Sequence, residues 1–515
     1  MRKKLPSWQG DISAAAQWIE RLTEVLMLVP LCVLAKSALF ALVPVMFLNR
    51  LIVDVFCVHL PFVLEKMFAM ILAKKNKRKF IAAHVSLRQE LMVAGILCGG
   101  ILAIAVPVLS SFVLGDQAPV EDLNLMKCAL WCFTPVIVVD AMLAVHRGMD
   151  LTVSKSKGFL FRWILEQGLR LAAMIIFILA AGKGADSVLS IVLAVLAVGL
   201  PALGLLVYYE KYDNVMLLGQ PGPMNANVKA MFNRRAVPHV MTVISEELWL
   251  IPPVFLSLPL VVHFGMEYGV AKQLYGLGSM MQMFMVLIPA LLMFGTALHV
   301  KGSLQSAGNL PQEQKGQRIE SALNKAIKWI MPAGMFLMLE SKPLLHVLFQ
   351  IDDPASAGLL AGCGLLAVVY SGASFTSQVM DAMDLKALRN QYCWLAFVFQ
   401  LVGFYPLVKQ YGFAGVIYAD ILFFAVLLFM NLAKIKNRSI VSMRKVGSVL
   451  VRTVIAGFAM HGAVYGLSLL GLTGMQKDLV QAIGSLSVMI AVGGAAYYMT
   501  GDIVKIFRFR RIVND

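Results

Sequence analysis

The chain has 515 residues, of which 59% are hydrophobic and 14% charged, with a mean hydropathy of +0.77. Soluble globular proteins are about a quarter charged and disordered chains are poor in apolar residues, so both are excluded and a polytopic membrane protein remains. The 45 Lys and Arg against 29 Asp and Glu leave +16, an excess that in a membrane chain reports topology first.

A spanning helix takes about 20 apolar residues plus a connection, so this length holds roughly 13–15 spans. Apolar runs bounded by charged or Gly/Pro-containing turns predict helices near 12–35, 38–72, 90–113, 126–147, 159–181, 187–209, 237–263, 272–299, 324–347, 357–380, 390–409, 412–433, 447–470 and 480–503. The expected class is therefore an all-α polytopic membrane protein with about 14 transmembrane helices. The first two segments are unusual, because Glu20, Arg21, Glu24, Lys36 and Arg50 interrupt them.

With the N-terminus assigned to the cytoplasm, 34 of the 45 basic residues fall in inside connections, six in outside connections and five within helices. That bias predicts a multi-pass protein with both termini cytoplasmic and basic loops against membrane lipids. Nucleic acid is not expected as a partner. The N-terminus is basic but no short apolar run with a cleavage site follows, so no cleavable signal peptide is expected. The seven cysteines lie mostly in apolar runs. Cys128 and Cys132 share a helix face, but no histidine or second pair completes a zinc pattern, so neither metal nor cofactor is expected.

Two stretches look like copies. Gly148-Met149-Asp150-Leu151 and Ala382-Met383-Asp384-Leu385 each precede a basic turn and an apolar helix, and the basic stretch Lys74 to Arg88 has a counterpart in Lys301 to Lys325. The spacing predicts a six-helix lobe over 12–209, a second over 237–433 and two additional transmembrane helices over 447–503. An even number of spans per lobe makes the repeat parallel, with a substrate site expected between the lobes.

Arg147-Gly148, Ser154 and Glu166-Gln167 with Arg170 follow one another in an order that resembles the polysaccharide-exporter branch of the multidrug/oligosaccharidyl-lipid/polysaccharide (MOP) superfamily. Leu60-Pro61 with Glu65-Lys66, Tyr275-Gly276 through Pro289, and Tyr411-Gly412 with Gly415 extend the similarity over about residues 40–440. The chain is similar to stage V sporulation protein B-like proteins and lipid II flippases. It departs from them at Asp381-Ala382-Met383-Asp384-Leu385-Lys386, where the family has a Gly-Lys and a proline. The resemblance implies a fourteen-helix, two-lobed flippase for an isoprenoid-linked saccharide in a bacterial or archaeal cytoplasmic membrane, working beside glycan-assembly enzymes.

Ionisable groups inside hydrocarbon cost several kcal/mol and so face a partner or a cavity. Arg21 and Arg50, assisted by Lys36, are candidates for a cationic cavity that binds a phosphate or pyrophosphate headgroup, since guanidinium forks match phosphate oxygens. The alternative is local pairing, Arg21 with Glu24 and Arg50 with Asp54, at helical spacing. Glu166 and Arg170, also i,i+4, are a helix pair or a gate. Arg147-Gly148 is expected to end the fourth helix, with the arginine among headgroups. Glu246 and Glu247, ahead of Pro252-Pro253, are candidates for a coupling or gating carboxylate beside a proline hinge. The alternative has one of them in water and one paired. Asp140 is a further coupling candidate, and the direction in which Asp420 faces is not readable. The methionines at 280, 281, 283 and 285 read either as packing or as a sliding surface for a lipid tail.

No Walker A loop is present, so an ion gradient (protons or sodium ions) or the membrane potential is the expected energy source, and the chain is not expected to be an enzyme. Two alternatives to lipid-linked saccharide export are a cation-coupled multidrug exporter and a membrane-embedded glycosyl- or acyltransferase.

Overall fold

The computed structural model describes residues 8–34, 38–73, 77–153, 155–181, 187–216, 226–291, 312–349, 351–438, 443–469, 484–485 and 487–500. These form helices throughout: α1 (Trp8–Leu34), α2 (Leu39–Ala73), α3 (Lys77–Leu114), α4 (Val120–Val153), α5 (Lys155–Ala181), α6 (Ser187–Met216), α7 (Ala226–Glu247 continuing in short pieces to His263), α8 (Tyr268–Leu291), α9 (Gln312–Leu339 with Ser341–Phe349), α10 (Pro354–Ala382), α11 (Lys386–Tyr411), α12 (Phe413–Arg438), α13 (Met443–Leu469) and α14 (Ser487–Thr500). Each of the fourteen expected segments has its helix. Ten described helices are long and apolar enough to cross a membrane. Bare apolar side chains such as Ile101, Ile104 and Val108 on α3 and Phe429 on α12 suit hydrocarbon, not water.

Differences from the sequence reading have local causes. Helix α3 begins at Lys77 instead of near 90, because Lys, Arg, Gln and Leu are good helix formers and carry the helix past its apolar run. Helix α2 contains a π-helical stretch, Val53–His59, just before Leu60-Pro61. Pro61 has no N–H to donate, and the wider turn absorbs that loss. Helix α7 is α-helical to Glu247, makes one tight turn over Leu248–Leu250, and restarts at Ile251–Phe255 and Ser257–His263. Pro252 and Pro253 occupy the first turn of the restarted piece, where the missing donors are not needed.

The chain divides into two units, Met1–Leu277 and Gly278–Asp515. Residues 237–277, read from sequence as the opening of the second lobe, thus group with the first unit. They are held there by side chains: Glu247 meets arginines of α1 and α2, Lys272 meets Asp122 at 2.8 Å, and Tyr275 donates to the Val254 carbonyl. The first unit packs α2, α3, α4 and α7 around Leu64, Phe68, Phe80, Leu87 and Phe232, and α1, α2 and α5 around Cys57, Phe159 and Trp163. In the second unit α9, α10 and α12 meet around Ile319, Phe375 and Ile435, and Met331, Met335, Met460 and Tyr497 bring α13 and α14 onto α9. Met280, Met281, Met283 and Met285 are all buried, so they do not offer an open surface to a lipid tail.

The two copied stretches fold differently. Helix α4 runs through Gly148 and Asp150 to Val153, whereas α10 stops at Ala382. Asp384 then takes φ 60°, a left-handed backbone that favours glycine, and Leu385 N–H donates to the Met380 carbonyl. Each unit nonetheless ties its two consecutive helices with an Asp–Arg pair, Asp150 with Arg162 and Asp381 with Arg389. At the other end of α10, Asp353 caps the helix. The Ser356 hydroxyl and the Ser356 and Ala355 amides donate to its carboxylate and hold it below the usual range.

Gly148 is not a helix end. A Cβ there would lie 2.6 Å from Leu64 Cβ and 3.2 Å from the Pro61 carbonyl oxygen, so α2 and α4 meet at this point. Gly148→Ala is expected to destabilise the protein by about 1–3 kcal/mol through overpacking. Gly168→Ala on α5, where a Cβ meets nothing within 4 Å, is expected to be neutral or slightly stabilising. Unfolding in detergent reads both, and equal effects would show that the α2–α4 contact does not set the cost.

Candidate functional site

Helix α1 carries Glu20, Thr23, Glu24 and Met27 on one stripe, the i, i+3, i+4, i+7 spacing of a single face. Arg21 reaches sideways from this helix. Its guanidinium donates to Glu24 at 2.9 Å and to Asp54 at 2.5 Å, and lies 3.5 Å from Glu247. Arg50, 3% exposed, places Nε 3.0 Å from the other oxygen of Glu247. Two guanidiniums from α1 and α2 thus share one carboxylate from α7.

This arrangement corrects part of the sequence reading. Arg21 pairs with Glu24 as expected, but Arg50 pairs with Glu247 and Asp54 pairs with Arg21. Both arginines thus take a partner from another helix, Arg21 reaching Asp54 of α2 and Arg50 reaching Glu247 of α7. The arginines also do not stand in a purely cationic setting, because Glu20, Glu24, Asp54 and Glu247 surround them. Lys36 lies outside the described residues. Of the adjacent glutamates, Glu247 is buried and paired while Glu246 is exposed.

Beside this network is a cavity of about 20 Å3, lined by Glu20, Thr23, Glu24, Asn49, Gln167 and Arg170 among others. It has room for about one water-sized occupant. Both Glu20 carboxyl oxygens and Asn49 Oδ1 are buried there without a hydrogen-bond partner among the described residues. Buried polar atoms are nearly always satisfied, so exceptions mark a place for water or an ion. Sequence reading noted Glu20 only as an interruption of α1, used Gln167 only as part of the Glu166-Gln167 motif and passed over Asn49. The stripe with Glu24 was the available signal.

A second ionic cluster lies deeper. Arg147 of α4 donates to Glu166 of α5 at 2.5 Å, Arg170 donates to the other Glu166 oxygen at 2.8 Å, and Arg170 lies 3.7 Å from Asp140. Asp140 also accepts from the Cys57 thiol at 3.4 Å. Arg147 stacks on Trp163 at 5.0 Å, and the indole N–H donates to the Ala16 carbonyl of α1. The expected Glu166–Arg170 pair is present. Arg147 is not among headgroups but 1% exposed, because it supplies the charge that Glu166 needs in the interior. Two cations face two carboxylates here, whereas the Arg21–Arg50 network carries a surplus of carboxylates.

Arg170 belongs to both features, since it lines the cavity and holds Glu166. The first unit therefore contains a connected polar path from Glu247 through Arg21 and the Glu20 cavity to Asp140. Such a path suits anion capture between arginines and exchange of a small cation among carboxylates. Among the described residues no group of three or more His, Cys, Asp or Glu side chains is placed to hold a metal.

No family model matches the chain, and no curated protein matches it. Solved structures do. A lipid II flippase, MurJ, in an inward closed conformation has 13% identity and a TM-score of 0.69, with 97% of this chain and 99% of that one covered. An inward-facing multidrug resistance MATE family transporter of the MOP superfamily has 16% identity and a TM-score of 0.54, with 85% and 96% covered. An outward-facing MATE family transporter has 14% identity and a TM-score of 0.52, with 85% and 94% covered. The chain is a polytopic all-α membrane protein with the fold of the MOP superfamily.

Proposed function

We propose that this protein is a transporter that flips an isoprenoid-linked saccharide across the cytoplasmic membrane by alternating access. The observation that carries this reading is the pair of arginines sharing Glu247. A carboxylate between two guanidiniums occupies the place a phosphate would take. A headgroup phosphate that displaces Glu247 gains two forks in a water-poor setting, while the paired state keeps both arginines neutralised when no substrate is present. The coverage and TM-score against the lipid II flippase, both higher than against the two MATE structures, support the same reading.

In this reading Glu247 and Asp54 act as gating carboxylates, and the Glu20 cavity holds the coupling proton or sodium ion, with Asp140, Glu166 and Arg170 beyond it. Glu246 remains a candidate for coupling or gating. Pro252 and Pro253 form the hinge that lets Glu247 leave the arginines, and Lys36 joins Arg21 and Arg50 at the headgroup. The saccharide stays in water, the isoprenoid tail stays in lipid, and enzymes that assemble glycans on the cytoplasmic side supply the substrate. Both termini are cytoplasmic.

The surplus of carboxylates over arginines around Arg21 favours a second reading, a cation-coupled multidrug exporter. Reconstituted vesicles separate the two. Flipping of an undecaprenyl-pyrophosphate-linked sugar, faster with a proton or sodium gradient, is the expected result. Movement of cationic drugs without lipid-linked sugar would overturn it, and covalent alteration of the sugar lipid would point to a membrane-embedded transferase.

A further inference from the structure

The second unit contains a buried acid of a different kind. Asp420 of α12 is 0% exposed, and Gln400 of α11 donates to its Oδ1 at 2.7 Å. Its Oδ2 is buried with no hydrogen-bond partner among the described residues. No Lys, Arg or His of the described residues forms an ion pair with it, in contrast to Glu166, Asp54 and Glu247, which each face a guanidinium. The titratable group that faces it from α10 is the Cys363 thiol, itself fully buried. One neutral amide is its whole compensation.

An ionised carboxylate with one neutral donor inside a membrane helix bundle is strongly disfavoured. A protonated one is not. The amide of Gln400 presents a donor on one side and, turned over, an acceptor, so it matches either form of the carboxyl group.

We propose that Asp420 is a proton-binding site of the second unit, occupied at neutral pH and emptied only when water or a cation reaches the α10–α11–α12 contact. It is separate from the ion-paired carboxylates of the first unit and does not depend on the identity of the transported molecule. Protonation and release there would make the packing of these three helices sensitive to the proton gradient. No other group need change charge.

Infrared difference spectroscopy on the full chain in lipid vesicles tests this. The wild type is expected to show at neutral pH a protonated-carboxyl band that is missing in Asp420→Asn, and to lose that band reversibly at alkaline pH. Asn mimics the neutral acid, so the variant is expected to fold. Gln400→Leu keeps the carboxyl, removes its hydrogen-bond partner and is expected to shift the band while keeping its amplitude, which gives a second assignment should Asp420→Asn fold poorly. Loss of a carboxylate band in Asp420→Asn would overturn the proposal, as would a protonated band that never titrates or that ignores Gln400→Leu.

Discussion

Arg50→Ala is expected to lower the flipping of a lipid-linked saccharide by about 10- to 100-fold, because hydrogen bonds to a charged group contribute about 1.5–3 kcal/mol and each 1.4 kcal/mol is tenfold in rate. Arg50 is 3% exposed and pairs with Glu247. Its loss has two consequences that must be told apart. The headgroup loses a fork, and Glu247 is left buried with only Arg21 at 3.5 Å. The second consequence alone could unfold the protein. The double variant Arg50→Ala with Glu247→Gln removes the orphaned charge, so it is expected to recover thermal stability in detergent but not transport. Recovery of transport in the double variant would show that Arg50 serves only Glu247, and the headgroup role would fall. Arg50→Lys keeps the charge without the planar fork and is expected to fall between wild type and alanine.

Much of the fold was legible in the sequence because the bilayer imposes a length. About 20 apolar residues are needed per crossing whatever the partner helices are, and fourteen such runs became fourteen helices. Where boundaries moved, hydropathy and helix propensity part company: the basic stretch before α3 is polar yet helical, and Gly148, which reads as a stop, is instead the point where α2 and α4 touch. The site was legible only as far as one helix reaches. Arg21 with Glu24 and Glu166 with Arg170 follow from helical spacing. The pairs that join helices, Arg50 with Glu247 and Arg147 with Glu166, depend on which faces pack together, and no spacing encodes that. Asp54 sits four residues after Arg50, but Arg21 of α1 takes it, which is again a contact between helices. Glu20 was undervalued because a carboxyl group without a partner is visible only once its surroundings are.

The second large effect concerns stability. Glu166→Gln is expected to destabilise the protein by about 3–5 kcal/mol, the range for removing one partner of a buried ion pair. Gln has nearly the same shape, so the change opens no cavity and the cost is electrostatic. Glu166 accepts from Arg147 and Arg170, both almost fully buried, and without its charge the two guanidiniums share only Asp140, 3.7 Å from Arg170. Glu246→Gln is the control: Glu246 is exposed, and its change is expected to stay within about 0.5 kcal/mol. Unfolding of purified protein in detergent reads both. Arg147→Met in the Glu166→Gln background removes one of the stranded charges and is expected to restore part of the loss, whereas the same change in the wild type leaves Glu166 with Arg170 as its one guanidinium partner and lowers stability. That opposite sign in the two backgrounds is the signature of direct coupling in a double-mutant cycle. Additive losses would mean that the Arg147–Glu166 contact does not hold α4 to α5, and the polar path from Glu247 to Asp140 would then lack its fixed end.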